Sequence, residues 1–271
     1  MKCFIIILKE VPISIEIGNK CLEQAKKFGI KPDIFNGIYG SEADSVFEKF
    51  NYKIKNKYAK RSMNKQPGVR GCTASHLILL NNCIKDDVPY LIMEHDSYII
   101  RSLPNNIINS FDDIIRLDPY HPMLESYNED IKHGNTIFPY NNFNKNDIRF
   151  IQYKKPNLKS VKKNRLFGTL FDDDGALISS RKDDTNYEYF AGTYGYIIKP
   201  NGAKKVIRYI EEYGLFPADW LFNNFCLNLM TTSETIIRIH PDYNAIANKK
   251  KRLSTTTNLG ENHETKRSRN S

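Results

Sequence analysis

The hydrophobic pattern opens with residues 3–8, CFIIIL, an unbroken apolar run with the length of a buried strand. Residues 13–29 follow with Ile15, Ile17, Leu22 and Ala25 as the apolar positions of a helix and Gly29 as its stop. Residues 32–35 make a second short strand before a turn over 36–40. Strand, helix and strand in that order predict a parallel α/β sheet. Leu77, Leu80 and Ile84 place a helix from near Cys72 to about Lys85. Residues 90–94 are an apolar strand that ends in Glu94-His95-Asp96; a short helix near 104–110 and a strand at 113–117 come next. Residues 119–165 lack a clear period and are rich in Asn, Tyr and Lys, which predicts a loop-rich insertion. Residues 166–180 read as a hairpin turning at 172–175, 190–198 as a strand, 201–213 and 220–230 as helices, and 236–239 as a last strand ending at His240.

With 271 residues, 40% of them hydrophobic, the chain can bury a large core and is too apolar to be disordered. The expectation is one domain over 1–247, carrying the insertion at 119–165, and a basic tail over 248–271 without fixed structure. No apolar run approaches the roughly 20 residues a membrane helix requires. The first residues lack a small-residue cleavage site, so a cytoplasmic protein without a signal peptide is expected. Five cysteines, none in a CxxC pair, fit a reducing compartment better than a disulfide framework. The wealth of Lys, Asn and Ile points to an AT-rich coding sequence, as in large viruses and low-GC bacteria; for a virus the compartment would be host cytoplasm or virion.

The net charge of +9 raises the question of a nucleic-acid partner. Residues 248–271 hold seven cations against two acids, so the body is only mildly basic. A second run, 51–70, carries seven cations and no acid, but few aromatic residues interleave and no nucleic-acid motif appears.

Candidate chemistry concentrates in a few segments. Glu94 and Asp96 flank one residue at the end of an apolar strand, where ligands of open α/β sheets bind. Carboxylates there can hold a hard divalent cation, which in turn neutralises a diphosphate; a solvated charged turn is the plain alternative. Gly68, Arg70, Gly71, Thr73, Ser75 and His76 form a glycine-bounded turn and helix start, able to bind phosphate through backbone N–H groups or simply to be a capped helix. Gly192-Thr193-Tyr194-Gly195 is a small-residue strand that a sugar or a neighbouring backbone could approach. Asp219 in Pro217-Ala218-Asp219-Trp220 is either a helix cap or a general base, with Trp220, the single tryptophan, beside it. His240 can ligate a metal or lie on the surface. Asp172-Asp173-Asp174-Gly175 repeats the acid-x-acid spacing, but in a turn.

In order and spacing these segments resemble glycosyltransferase family 25, which contains lipopolysaccharide galactosyltransferases and collagen hydroxylysine galactosyltransferases. The family's Gly, Cys and Ser-His pattern is similar to 68–76, its acidic strand end to 91–96, its Gly-Thr strand and Gly-Ala-Lys helix to 192–205, its Pro-x-Asp-Trp element to 217–220 and its start to 35–40. The resemblance spans roughly 3–242. It implies a GT-A-type, Rossmann-like mixed sheet flanked by helices. It also implies metal-dependent, inverting transfer of a hexose, galactose or glucose, from a UDP-sugar to a hydroxyl of a glycan, lipopolysaccharide or protein. Carried over by position, it implies Asp219 as catalytic base and Asp96 and Glu94 around Mn²⁺ or Mg²⁺; a related fold places a late His on the metal, which adds His240. Nucleotide-sugar binding falls to Arg70, Ser75, His76, Glu94, His95, Gly192, Thr193 and Trp220. His95 departs from the family, whose triplet usually reads Glu/Asp-Asp-Asp.

Two other classes compete. A catalytically inactive binding protein of the same fold predicts no metal-dependent donor binding. A nucleic-acid-binding or -modifying protein using the basic segments predicts steeply salt-sensitive affinity for DNA or RNA.

Overall fold

The computed structural model describes residues 1–118, 148, 150–153, 189–190 and 192–240. The expected hairpin at 166–180 and the tail at 248–271 lie outside the described residues, as does most of the insertion. The chain opens as β1 (Lys2–Ile7), α1 (Pro12–Lys27) and β2 (Asp33–Asn36). Next come α2 (Ala43–Lys49), α3 (Lys57–Lys65) and α4 (Pro67–Asp86), then β3 (Tyr90–Glu94), β4 (Ser97–Ile99) and β5 (Ile114–Arg116). After β6 (Phe150–Gln152) follow β7 (Gly195–Ile198), α5 (Pro200–Tyr213), α6 (Ala218–Leu221), β8 (Leu229–Thr232) and β9 (Ile237–Ile239).

Seven of the described strands form one mixed sheet in the order β2-β1-β3-β7-β5-β8-β6, and β4 pairs with β9 apart from it. β2, β1 and β3 run parallel, with Ile6 opposite Phe35 on one side and Glu94 on the other. β7 runs antiparallel to both β3 and β5, while β5 and β8 are parallel. Alternate side chains of each strand enter opposite layers, as the pleat requires. Ile6, Tyr90, Ile92, Tyr196 and Ile198 pack with α2 to α5, and Ile5, Ile7, Leu91, Met93 and Ile197 pack with Cys21 and Ala25 of α1. Helices thus cover both faces. The α/β expectation holds in its mixed-sheet, Rossmann-like form.

Local chemistry explains the element ends. Gly29, at φ +73°, sits beyond α1, where its N–H reaches the Lys26 carbonyl and that of Ile30 reaches Ala25, the paired bonds of a Schellman stop. The basic run is not featureless, because α3 buries Ala59 and Met63. Lys55 donates from Nζ to the Glu211 and Glu212 carbonyls near the end of α5, 2.8 and 3.3 Å away. The 220–230 helix is a correction. Only α6 is helical, because the buried Asn223 side chain bonds the Trp220 carbonyl and the N–H groups of Phe225 and Cys226, turning the backbone out of the helix. The 190–198 strand is also shorter than expected: Gly192, at φ +89°, and a bend precede β7. Within the insertion, 150–152 is a strand against β8.

The helix expected from Cys72 begins one turn earlier, at Pro67. A loop crosses it tightly, since a Cβ on Gly71 would strike the Ile38 carbonyl and one on Gly40 would strike the Pro67 carbonyl. Both obstacles are backbone and cannot rotate away. Gly71→Ala should therefore cost about 1–3 kcal/mol, read as a lower midpoint in urea unfolding.

Candidate active site

The order β2-β1-β3 places neighbours on either side of β1, and the two crossovers cover opposite faces of the sheet. α1 leads from β1 to β2 on one face, and α4 leads into β3 on the other. Such a switch point opens a crevice outside the carboxyl ends of the strands. A cleft lies there, lined by Ile6, Leu8, Ile38, Tyr39, Gly40, Gly68, Cys72 and Ser75. Ser75 is built into its wall. Its Oγ donates to the Gly71 carbonyl and accepts the Ile38 N–H, both at 2.8 Å, fastening the loop after β2 to α4.

β3 delivers Glu94 to the α4 side by strand alternation. Oε1 of Glu94 accepts the Thr193 hydroxyl, lies 3.4 Å from Nε2 of His76 and 3.9 Å from Sγ of Cys72. Nδ1 of His76 meets the Tyr196 hydroxyl at 2.8 Å. His76 and Glu94 are buried, and Cys72, half-buried, borders both this cluster and the cleft. The positive φ of Gly192 sets the backbone that brings Thr193 inward.

Three carboxylates converge around Cys72. Its thiol is pushed well above the ordinary range by burial and then by the charges of Glu94, Asp219 and Asp96. Asp219 lies in the first turn of α6, whose start is tied to α4 by the Ala218 N–H donating to Oγ1 of Thr73 at 3.1 Å. Burial raises its carboxyl to about 7, with a further push from Glu94, against the lowering effect of its own N–H and that of Trp220. A carboxyl poised there can exchange a proton near neutral pH. Asp96 is raised well above the carboxylate range by burial and then by Glu94. Its Oδ1 is buried without a hydrogen bond among the described residues. An oxygen left in that state fits ligation of a hard divalent cation. The His240 N–H donates to the Asp96 carbonyl at 2.6 Å, and its ring meets Tyr98 edge-on at 4.9 Å.

Other expected site residues stand apart from the cluster. The Arg70 guanidinium pairs with Asp44, bonds Oδ1 of Asn64 at 3.2 Å and lies over Phe47, so it staples α4 to α2 and α3. Strand alternation turns His95 to the α1 side, beside Gly18, where burial pushes its imidazole down to about 4. A neutral, fully buried ring at that place is a packing element. Trp220 lies partly buried against the core next to Asp219. The sequence reading missed a buried network at the carboxyl end of β5. There Arg116 donates to the Tyr194 hydroxyl at 2.8 Å, and that hydroxyl donates to Asp118 at 2.7 Å. Thr235 binds the same carboxylate at 2.9 Å. Two charged residues, Arg116 and Asp118, at the end of an apolar strand were its only sequence signal.

A family model described as glycosyltransferase family 25 (LPS biosynthesis protein) matches residues 1–222, a stretch that contains Cys72, His76, Glu94, Asp96, Thr193 and Asp219. The chain belongs to glycosyltransferase family 25. No curated protein matches it. The family 25 assignment makes the protein a glycosyltransferase, an enzyme that takes a sugar from a donor to an acceptor. No helix among the described residues is long and apolar enough to cross a membrane.

In this transferase the Thr73 hydroxyl carries a testable duty. It donates to the Val69 carbonyl and accepts from Ala218, and so sets where Asp219 stands. Thr73→Val keeps the shape and removes that acceptor. Turnover should fall about tenfold, the order of a displaced catalytic group, with donor KM changed less than twofold.

Proposed function

We propose that this family 25 enzyme transfers a hexose, galactose or glucose, from a UDP-sugar to a hydroxyl of a glycan, lipopolysaccharide or protein, with inversion at the sugar carbon. The observation that carries the reading is the set of three carboxylates around Cys72 (Glu94 and Asp96 at the carboxyl end of β3 and Asp219 of α6, the last held near neutrality), beside a cleft at the switch point. Asp219 takes the acceptor proton as the hydroxyl attacks, since a carboxylate with a pKa of about 7 is a competent base at neutral pH. The surface at the switch point beside Ile38, Tyr39 and Gly40 takes the nucleoside, and the cluster end of the site takes the sugar. Thr193 and His76 fix the Glu94 carboxylate there. Asp96, with Glu94 and His240 nearby, would hold Mn²⁺ or Mg²⁺, whose charge offsets that of the departing diphosphate. The neutral His95 and the stapled Arg70 support these residues from behind.

The test is a melting-temperature series with UDP, GDP, CDP and ADP, each with Mn²⁺, Mg²⁺ or EDTA. A ligand at about 100 times its Kd stabilises by about 2.7 kcal/mol, so UDP with metal should raise the midpoint by several degrees and the others should not. Equal shifts with every nucleotide, or a UDP shift that ignores EDTA, would overturn the reading.

A further inference from the structure

We propose that Cys72, His76 and Glu94 form a binding site for one thiophilic divalent cation of the zinc class, which differs from the hard-cation role of Asp96 in its sulfur and nitrogen donors and competes with it for Glu94. The three ligand atoms, Sγ, Nε2 and Oε1, all lie within 4.8 Å of one another. The Cys72–Glu94 and His76–Glu94 separations are 3.9 and 3.4 Å. A tetrahedral Zn²⁺ with bonds of about 2.0–2.3 Å holds its ligand atoms roughly 3.3–3.8 Å apart. Two separations are thus nearly those of a bound ion, and the third is at most about an ångström wider.

Donor chemistry selects the ion. A thiolate and an imidazole favour zinc over magnesium or manganese, which prefer oxygen. The imidazole is already aimed. Its Nδ1 is engaged by the Tyr196 hydroxyl, and its ring packs against Tyr196 and Phe222 at centroid distances of 5.7 and 6.3 Å, which leaves Nε2 facing Glu94. Such an outer partner fixes the tautomer of a ligating histidine. Cys72 borders the cleft, which gives the ion a path from solvent. Three ligands leave the fourth tetrahedral position for an exchangeable group. On loading, the thiol proton goes to solvent and the sulfur electron pair forms the metal bond. The ion then takes Glu94 away from Thr193, so zinc inhibits the transferase. Binding of the ion itself does not depend on the donor or base proposed above.

The test uses the full chain with Co²⁺ as a spectroscopic stand-in and Zn²⁺ by calorimetry. Co²⁺ should give intense visible bands of a four-coordinate site and a near-ultraviolet sulfur-to-cobalt band. Both should disappear on adding an equivalent of Zn²⁺, and Zn²⁺ binding should release about one proton. Cys72→Ser and His76→Gln should each weaken Zn²⁺ binding by on the order of 100-fold, and Tyr196→Phe by about 10-fold, while Cys3→Ser keeps the sulfur band. Cys72→Ala reads the same loss should the serine variant unfold, with circular dichroism as the check. A sulfur band that never forms, or that survives in both Cys72 variants, overturns the proposal.

Discussion

Replacing Asp219 with Asn should slow glycosyl transfer by about 10²–10⁴-fold and leave donor affinity within about threefold. The amide keeps the shape of the carboxylate and its place in the first turn of α6, but it cannot take a proton from the acceptor. The wild-type rate should rise with pH and level off above about 7, because the carboxyl must be ionised to act and burial holds it near that value. The variant should lose that limb of the profile. Stability should move the other way. A carboxyl raised from 3.8 to about 7 favours the folded state when it is protonated, so this contribution is present at acid pH and is lost as pH rises towards 7. Asn carries no charge to bury. At pH 8 Asp219→Asn should therefore be more stable by about 1 kcal/mol after allowance for its partial exposure, a midpoint shift of about 2–4 °C. A loss of activity joined to a gain of stability separates a working base from a merely structural acid.

Asp96→Asn should abolish the part of donor binding that depends on metal, a loss on the order of 100-fold in affinity for the nucleotide sugar. Asp96 is buried just past the end of β3, its Oδ1 lacks a hydrogen bond among the described residues, and the carboxylate bonds its own backbone N–H. The amide fits the same space, and the fold should survive. Without metal, wild type and variant should bind UDP equally weakly. Calorimetric titrations with and without Mn²⁺ separate the two contributions.

Much of this architecture was legible in the chain. The run at 3–8, the apolar face of α1 with Gly29 behind it, and the strand closing on Glu94 each follow from periodicity and stop signals that tertiary packing leaves alone. The order of the Ser-His, acidic, Gly-Thr and Asp-Trp segments gave the transferase. Side-chain direction was harder to read. Arg70 sits beside Gly71 in sequence, yet its partner Asp44 belongs to a helix whose approach to α4 no local pattern reveals. His95 lies between two candidate ligands, and the alternation of β3 sends it to the opposite layer. Asn223 ends α6 through its own side chain, where apolar spacing alone continues the helix. The joining of Cys72, His76 and Thr193 on Glu94 brings together α4, β3 and the approach to β7, a long-range arrangement that appears only once the sheet order is known.

The most direct test of the central claim is nucleotide release from a panel of nucleotide sugars, without added acceptor, in Mn²⁺, Mg²⁺ or EDTA. Slow donor hydrolysis requires no knowledge of the acceptor. The account predicts release from one UDP-hexose, dependent on metal and absent in Asp96→Asn. Release that persists in EDTA or in the variant, or the absence of both release and metal-dependent binding with every sugar tried, would contradict it.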